Sequence, residues 1–242
     1  KRTAMLPKLF AEVGENCYIE SPYFANWGGH HVHLGSNVYA NAGLKLVDDT
    51  LYFTSVVGFY NNLYKMDLNT GDITLICGEC GSIDQIAVNG DSILAVAMIG
   101  DRLQEIYEVG SGKAERLSSL NEEYFQKKDI KTPVYHPFVN PDGVTIDGWA
   151  ILPRDYDPAK KYPAILDIHG GPKVVYGEVF NHEMQYWASE GYFVYFCNPR
   201  GSDGRGDDFA DLRGKYGTID FDDLLRFCDA VEEKYPQIDK TK

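Results

Sequence analysis

The order of apolar and polar positions changes partway along the chain. From about residue 49 to residue 117, apolar residues come in short β-rich runs. Leu51-Tyr52-Phe53-Thr54, Leu63-Tyr64-Lys65-Met66, Ile73-Thr74-Leu75-Ile76, Gln85-Ile86-Ala87-Val88 and Ile93-Leu94-Ala95-Val96 predict strands. Asn69-Thr70-Gly71-Asp72 and Asn89-Gly90-Asp91 predict turns between them. No helical period competes with this pattern.

The strands repeat. Asp49-Thr50-Leu51-Tyr52 aligns with Asp91-Ser92-Ile93-Leu94 at a shift of 42, and Tyr64 aligns with Tyr107 at a shift of 43. Thr70-Gly71 aligns with Ser111-Gly112 at 41, and Leu75 with Leu117 at 42. A period of this size with about four strands per unit is that of β-propeller blades. The segment before Asp48 has room for a third, degenerate copy. Residues 1–128 are therefore expected to form an incomplete set of β-propeller blades. They are too short for a closed ring of four or more, and an open β array is the other reading.

Asn121 to Thr132 is charged and short, and reads as a linker. Beyond it, Val134 to Val139 and Val144 to Leu152 predict a hairpin around Asn140-Pro141-Asp142-Gly143, where proline presets φ and glycine takes the left-handed position. Strand and helix then alternate. Pro163 to Ile168 predicts a short strand, apolar on both faces. Phe180, Met184, Trp187 and Ala188 fall at helical spacing before Gly191, and Tyr192 to Phe196 predicts a second buried strand. Leu224, Leu225, Cys228, Val231 and Tyr235 mark a second amphipathic helix, with Asp220, Asp222 and Asp223 at its N-terminus, where the helix dipole favours anions. Strand, helix, strand, helix implies a layered α/β sheet over residues 129–242.

Composition narrows the function. The 242 residues carry a net charge of −13. That balance excludes nucleic acid as a main partner, because phosphate binding needs a basic face, and it disfavours an anionic membrane surface. No apolar run nears the roughly 18 residues of a membrane span, and no signal peptide is recognisable. Five cysteines, Cys17, Cys77, Cys80, Cys197 and Cys228, are an odd, sparse set. They suggest a reducing compartment, hence the cytoplasm. The chain opens Lys1-Arg2-Thr3 without an initiator Met and is expected to be partial.

Two motifs carry little chemistry. Gly110-Ser111-Gly112-Lys113 lacks the earlier glycine and following Ser/Thr of a phosphate loop and reads as a hairpin turn. Cys77-Gly78-Glu79-Cys80 has metal or redox spacing, but it lies between two strands and has no second ligand pair nearby, so it reads as a blade turn. His30, His31 and His33 read as a polar loop.

The informative corner is His169-Gly170-Gly171-Pro172, directly after the apolar strand. Paired glycines at a strand end bare backbone N–H groups, which can face a developing oxyanion in acyl transfer. A tight turn needing positive φ would use the same residues. Other stretches shift this balance. The chain carries Asp142-Gly143 with Ile146 and Gly148-Trp149, then Lys161-Tyr162-Pro163, then His169 to Pro172. It continues with Ala188, Gly191-Tyr192 and Val194, then Asn198-Pro199-Arg200-Gly201-Ser202-Asp203-Gly204, and Gly217 with Asp220 and Asp223.

In this order, over roughly residues 134–235, the chain resembles the prolyl oligopeptidase family of serine peptidases, most closely its acylaminoacyl-peptidase and dipeptidyl-peptidase-like branches. The resemblance implies β-propeller blades followed by the N-terminal half of an α/β-hydrolase domain. It implies oxyanion donation from the backbone of Gly170 or Gly171. Some branches have Tyr where His169 stands; here the donor would be a main-chain N–H. Asn198 and Arg200 would organise the loop beside the active site and contact substrate, with a purely structural role for Arg200 as the alternative. Asp220 and Asp223 would cap and charge a helix. The family's nucleophile lies in a G-x-S-x-G elbow after the next strand. These residues contain no such motif; Ser202 has Arg200 where the first glycine belongs. The expected function is cleavage of short peptides by the parent protein through an acyl-enzyme, without metal or organic cofactor, this chain alone being inert. A carboxylesterase-type hydrolase and a non-catalytic propeller-containing binding protein are the alternatives. Assembly into a homo-oligomer stays open.

Overall fold

The computed structural model describes residues 5–20, 24–25, 29–40 and 45–241. The opening Lys1-Arg2-Thr3 and the closing Lys242 lie outside the described residues. Contacts divide the chain into two units. The first holds the residues up to Ser55, Asn61–Ala97 and Glu105–Ser118; the second holds Val56–Tyr60, Met98–Gln104 and Ser119 onward.

The first unit opens with helix α1 (Leu6–Leu9), then six short strands: β1 (Glu12–Val13), β2 (Tyr18–Ile19), β3 (Phe24–Ala25), β4 (His33–Leu34), β5 (Tyr39–Ala40) and β6 (Lys45–Val47). They pair in parallel, β1 with β4, β2 with β5 and β3 with β6. Glu12 faces His33, Tyr18 faces Tyr39 and Phe24 faces Lys45, a step of 21 residues each time. Successive strands start six residues apart within each layer, at 12, 18 and 24 and again at 33, 39 and 45. This is two coils of a β-solenoid, the architecture of hexad repeats. It overturns the expectation of a third blade before Asp48: a blade needs antiparallel neighbours, and these strands stack in parallel across whole turns of chain. Asn16 and Asn37 take the same corner in the two layers, with φ of 56° and 61°, and their side chains bond each other at 3.1 Å. Asn tolerates that left-handed geometry better than most residues. Leu6, Phe10, Cys17 and Ile19 fill the interior, with Val13, Leu34 and Val38 packed against them.

The 42-residue repeat corresponds to two antiparallel meanders. β6, β7 (Thr50–Val57), β8 (Tyr60–Asp67) and β9 (Ile73–Cys77) run in order in one sheet, which β3 extends. β10 (Ser82–Asn89), β11 (Ser92–Met98), β12 (Glu105–Gly110) and β13 (Lys113–Arg116) form the other. Alternation explains the second sheet: β11 and β12 bury every other residue, Ile93, Ala95 and Ala97, then Glu105, Tyr107 and Val109. Neither sheet is closed. The hairpin expected at Gly110 to Lys113 is present, with Ser111 and Gly112 both at positive φ. In the turn after β9, Cys77 and Cys80 are joined by a disulfide, a bond the reducing-compartment reading did not anticipate; Cys17, Cys197 and Cys228 are free thiols.

In the second unit the expected linker is partly helical. It contains α2 (Glu122–Gln126), Phe125 packs edge-on against Phe180, and Lys131 exchanges two hydrogen bonds with the Gln185 side chain. β14 (Val134–Tyr135) and β15 (Phe138–Val139) both pair with β16 (Thr145–Ile151) across the Asn140–Gly143 turn. The sheet order is β14-β16-β18-β17, with β17 (Ala164–Asp167) parallel to β18 (Phe193–Asn198). β18 is central and wholly buried; β17 lies at the sheet's edge and is half-buried, less than its apolar sequence suggests.

α3 (His182–Ser189) packs Met184 and Ala188 on one face of the sheet with Trp149, Ile151, Val194 and Phe196. Asn181 caps it through the Met184 amide. A short α4 (Asp207–Ala210) precedes α5 (Ile219–Lys234), which covers the other face with Leu224, Phe227 and Val231. Leu225 points outward and is half-exposed. Gly148 is required on β16 because a Cβ there would collide with the fully buried Phe227 ring.

Candidate active site

β17 delivers Asp167 to the sheet edge, and the chain turns at once through His169, Gly170 and Gly171. Gly171 has φ of +126°, and a Cβ there would lie 2.6 Å from Val174 Cγ2, so both conformation and space demand glycine. At Gly170 a Cβ would meet nothing within 4 Å. Among the described residues, neither the Gly170 nor the Gly171 amide donates a hydrogen bond. Gly170 lines a cavity of about 190 Å³ with Ile168, His169, Pro172, Pro199, Arg200, Gly201, Ser202, Leu212 and the start of α5.

Asn198, at the end of β18, is buried and clamps the segment beyond the corner. Its Nδ2 donates to the Tyr176 carbonyl at 2.8 Å, and its Oδ1 accepts from the Tyr176 amide at 2.7 Å. The Tyr176 hydroxyl donates to Asp167 Oδ1, tying the segment back to β17. Burial, then that hydrogen bond, pushes the Tyr176 phenol well above its ordinary pKa. Tyr176 was not singled out in the sequence; the one signal pointing to it was the asparagine that holds it.

Arg200 is committed to carboxylates. Its Nε donates to Asp223 Oδ2 at 2.8 Å, one Nη to Asp223 Oδ1 at 2.9 Å and the other to Asp142 Oδ2 at 2.6 Å. The hydrogen bond with Asp223 is the main reason its pKa rises further. With these donors engaged, the side chain organises the loop; Arg200 and Gly201 both line the cavity. Asp223 is fully buried and also accepts from Asn140 Nδ2 at 2.9 Å. It therefore holds the interior together rather than charging a helix end. Asp220 does cap, accepting from the Gly217 and Thr218 amides at 3.2 and 2.9 Å.

His169 meets Ser202 with Nε2 3.0 Å from Oγ. That is the distance of a base and a nucleophile, but Ser202 is 1% exposed and its hydroxyl donates to the Pro199 carbonyl at 2.7 Å. The pair braces the corner; a nucleophile must be open to substrate. Among the described residues, no group of three or more His, Cys, Asp or Glu is placed to hold a metal ion, and no helix is long and apolar enough to cross a membrane.

Residues 178–242 match the model of the prolyl oligopeptidase family. An uncharacterized peptidase, YuxL, of Bacillus subtilis (strain 168) is 38% identical over 141 residues, 57% of this chain and 22% of that protein. The solved acylaminoacyl peptidase of Pyrococcus horikoshii superposes with a TM-score of 0.72 at 32% identity, covering 81% of this chain and 31% of the other. A different relative, the galactoside O-acetyltransferase of Lactococcus lactis subsp. lactis (strain IL1403), is 55% identical over 49 residues, 20% of this chain and 24% of that protein. The chain thus spans less than a third of the length of each of these proteins.

Proposed function

Because this chain belongs to the prolyl oligopeptidase family, we propose that the protein carrying it is a serine peptidase that cleaves short peptides through an acyl-enzyme. The corner at Gly170 and Gly171 supplies part of the oxyanion hole. The observation that carries this reading is a pair of main-chain amides without hydrogen bonds just past the carboxyl end of β17, with Gly170 lining a cavity. The nucleophile elbow belongs on a further parallel strand, for which β17 offers the open edge. The two meanders are blades of a propeller that limits access to small, unfolded substrates. No metal or organic cofactor takes part.

An activated-serine probe tests this. A fluorophosphonate labels the protein when the residues following this chain are present and leaves these 242 residues unlabelled. Labelling of neither favours a binding protein. Turnover of esters but not peptides by the labelled protein favours the carboxylesterase reading.

A second reading concerns residues 5–47 alone. We infer that this β-solenoid is the stretch similar to the galactoside O-acetyltransferase, and that the peptidase likeness begins with the first meander. The shares of 20% and 81% are what two adjoining stretches would give. The hexad spacing and parallel register support it independently. Removing residues 1–47 then leaves fluorophosphonate labelling of the longer protein unchanged; lost labelling in a still-folded protein overturns this division.

A further inference from the structure

The loop from Pro199 to Gly206 has no regular structure before α4, yet it is tied down at both ends. The near end is Arg200 on Asp223. The far end is Arg205, whose Nε donates to Asp147 Oδ2 at 2.9 Å and whose Nη2 lies 2.8 and 2.7 Å from the two carboxylate oxygens. Asp147 is 2% exposed, and it also accepts from the Tyr135 hydroxyl at 2.6 Å. On β16 it stands directly opposite Asn198, the residue that clamps Tyr176. Gly204 and Gly206, at φ of 84° and 86°, let the chain double back on either side of Arg205 and present its side chain to the sheet.

Between the anchors, the loop touches the corner through two hydrogen bonds, beside a looser Lys173–Asp203 ion pair at 3.9 Å. Ser202 Oγ meets the His169 ring, and the Asp203 amide donates to the Val174 carbonyl at 3.1 Å. A bidentate arginine–carboxylate pair with one partner buried is strong and directional. A shift at its end is therefore carried to the residues the loop braces.

We propose that Arg205, gripped by Asp147, which Tyr135 holds in turn, is a positioning residue for the oxyanion corner, holding Ser202 and Asp203 against His169 and Val174. The mechanical part stands on this geometry alone; its consequence for catalysis rests on the peptidase reading. Arg205 touches no reacting atom. It acts through the loop, and misplacement of a catalytic group by about 1 Å can cost on the order of a hundredfold in rate.

The test uses Arg205→Met and Arg205→Lys. In this chain, the amides of Val174, Tyr176 and Asp203 exchange hydrogen several-fold faster in Arg205→Met than in wild type, with Arg205→Lys between them and the α5 amides unchanged. In the longer protein, kcat for a peptide substrate falls at least about tenfold with KM within about twofold. Arg205→Ala regains part of the loss when guanidinium is added. Unchanged exchange at those three amides overturns the proposal. So does a loss that only follows global melting, or a variant that fails to fold together with the milder Tyr135→Phe. Altered exchange in a protein without hydrolase activity in wild type sinks the peptidase reading and leaves the bracing intact. Wild-type activity with unchanged kcat in Arg205→Met sinks the catalytic role of Arg205 alone.

Discussion

Asn198 holds Tyr176 by its main chain, accepting from the amide at 2.7 Å and donating to the carbonyl at 2.8 Å. A single amide side chain thus substitutes for a strand neighbour where the sheet has ended. Asn198→Asp retains the acceptor and loses the donor, leaving a buried charge beside an unpaired carbonyl. It is expected to cost about 1–3 kcal/mol or more. The shift of the urea midpoint relative to wild type, at an unchanged slope, measures this.

Asp223→Ala removes the buried partner of Arg200 and one partner of Asn140. Breaking a buried pair from one side typically costs about 3–5 kcal/mol. Most of this chain's second unit is then expected to unfold early in denaturant. The double variant Arg200→Met with Asp223→Leu should recover much of the loss, since no buried charge is stranded. A double variant no better than Asp223→Ala contradicts this account.

The two corner glycines differ in what they tolerate. Gly170→Ala meets open space and leaves the melting temperature of the second unit nearly unchanged. Gly171→Ala must adopt a φ of +126° against Val174 and is expected to be destabilising by about 1–3 kcal/mol. Thermal melts of the two variants side by side give the order; the reverse order contradicts it.

Tyr135 links stability to alkaline pH. Burial, then its hydrogen bond to Asp147, pushes its phenol from the ordinary 10.0 up to about 12. A group whose folded pKa lies above the unfolded one stabilises the fold fully below the unfolded value and loses that contribution as pH rises toward the folded value. Stability should therefore fall between about pH 10 and 12 more steeply in wild type than in Tyr135→Phe. Urea midpoints at pH 8, 10 and 11.5 resolve the two slopes, and parallel slopes contradict the linkage.

Legibility from sequence followed the length of each element and the distance between partners. The meanders and α5 were readable because alternation or helical spacing runs over several residues, as in β11 and along Leu224, Cys228, Val231 and Tyr235. The solenoid was not read because its strands span two or three residues, too short for alternation to register. Its signal is one apolar position per six: Val13, Ile19 and Ala25, then Leu34, Ala40 and Leu46. The corner and the Asn198–Gly204 loop announced themselves by residue type. Their partners did not, because Arg200 finds Asp142, and Arg205 finds Asp147, across 58 residues that only folding brings together.

Arg200 and Asp223 also constrain how this sequence can drift over generations. Loss of the aspartate leaves a guanidinium that is 13% exposed with only the exposed Asp142 as carboxylate partner, and loss of the arginine leaves a fully buried carboxylate with neutral donors alone. Either change arriving first meets selection before the second can repair it. The pair is therefore expected to be inherited as a unit, escape from it needing two coordinated replacements rather than one.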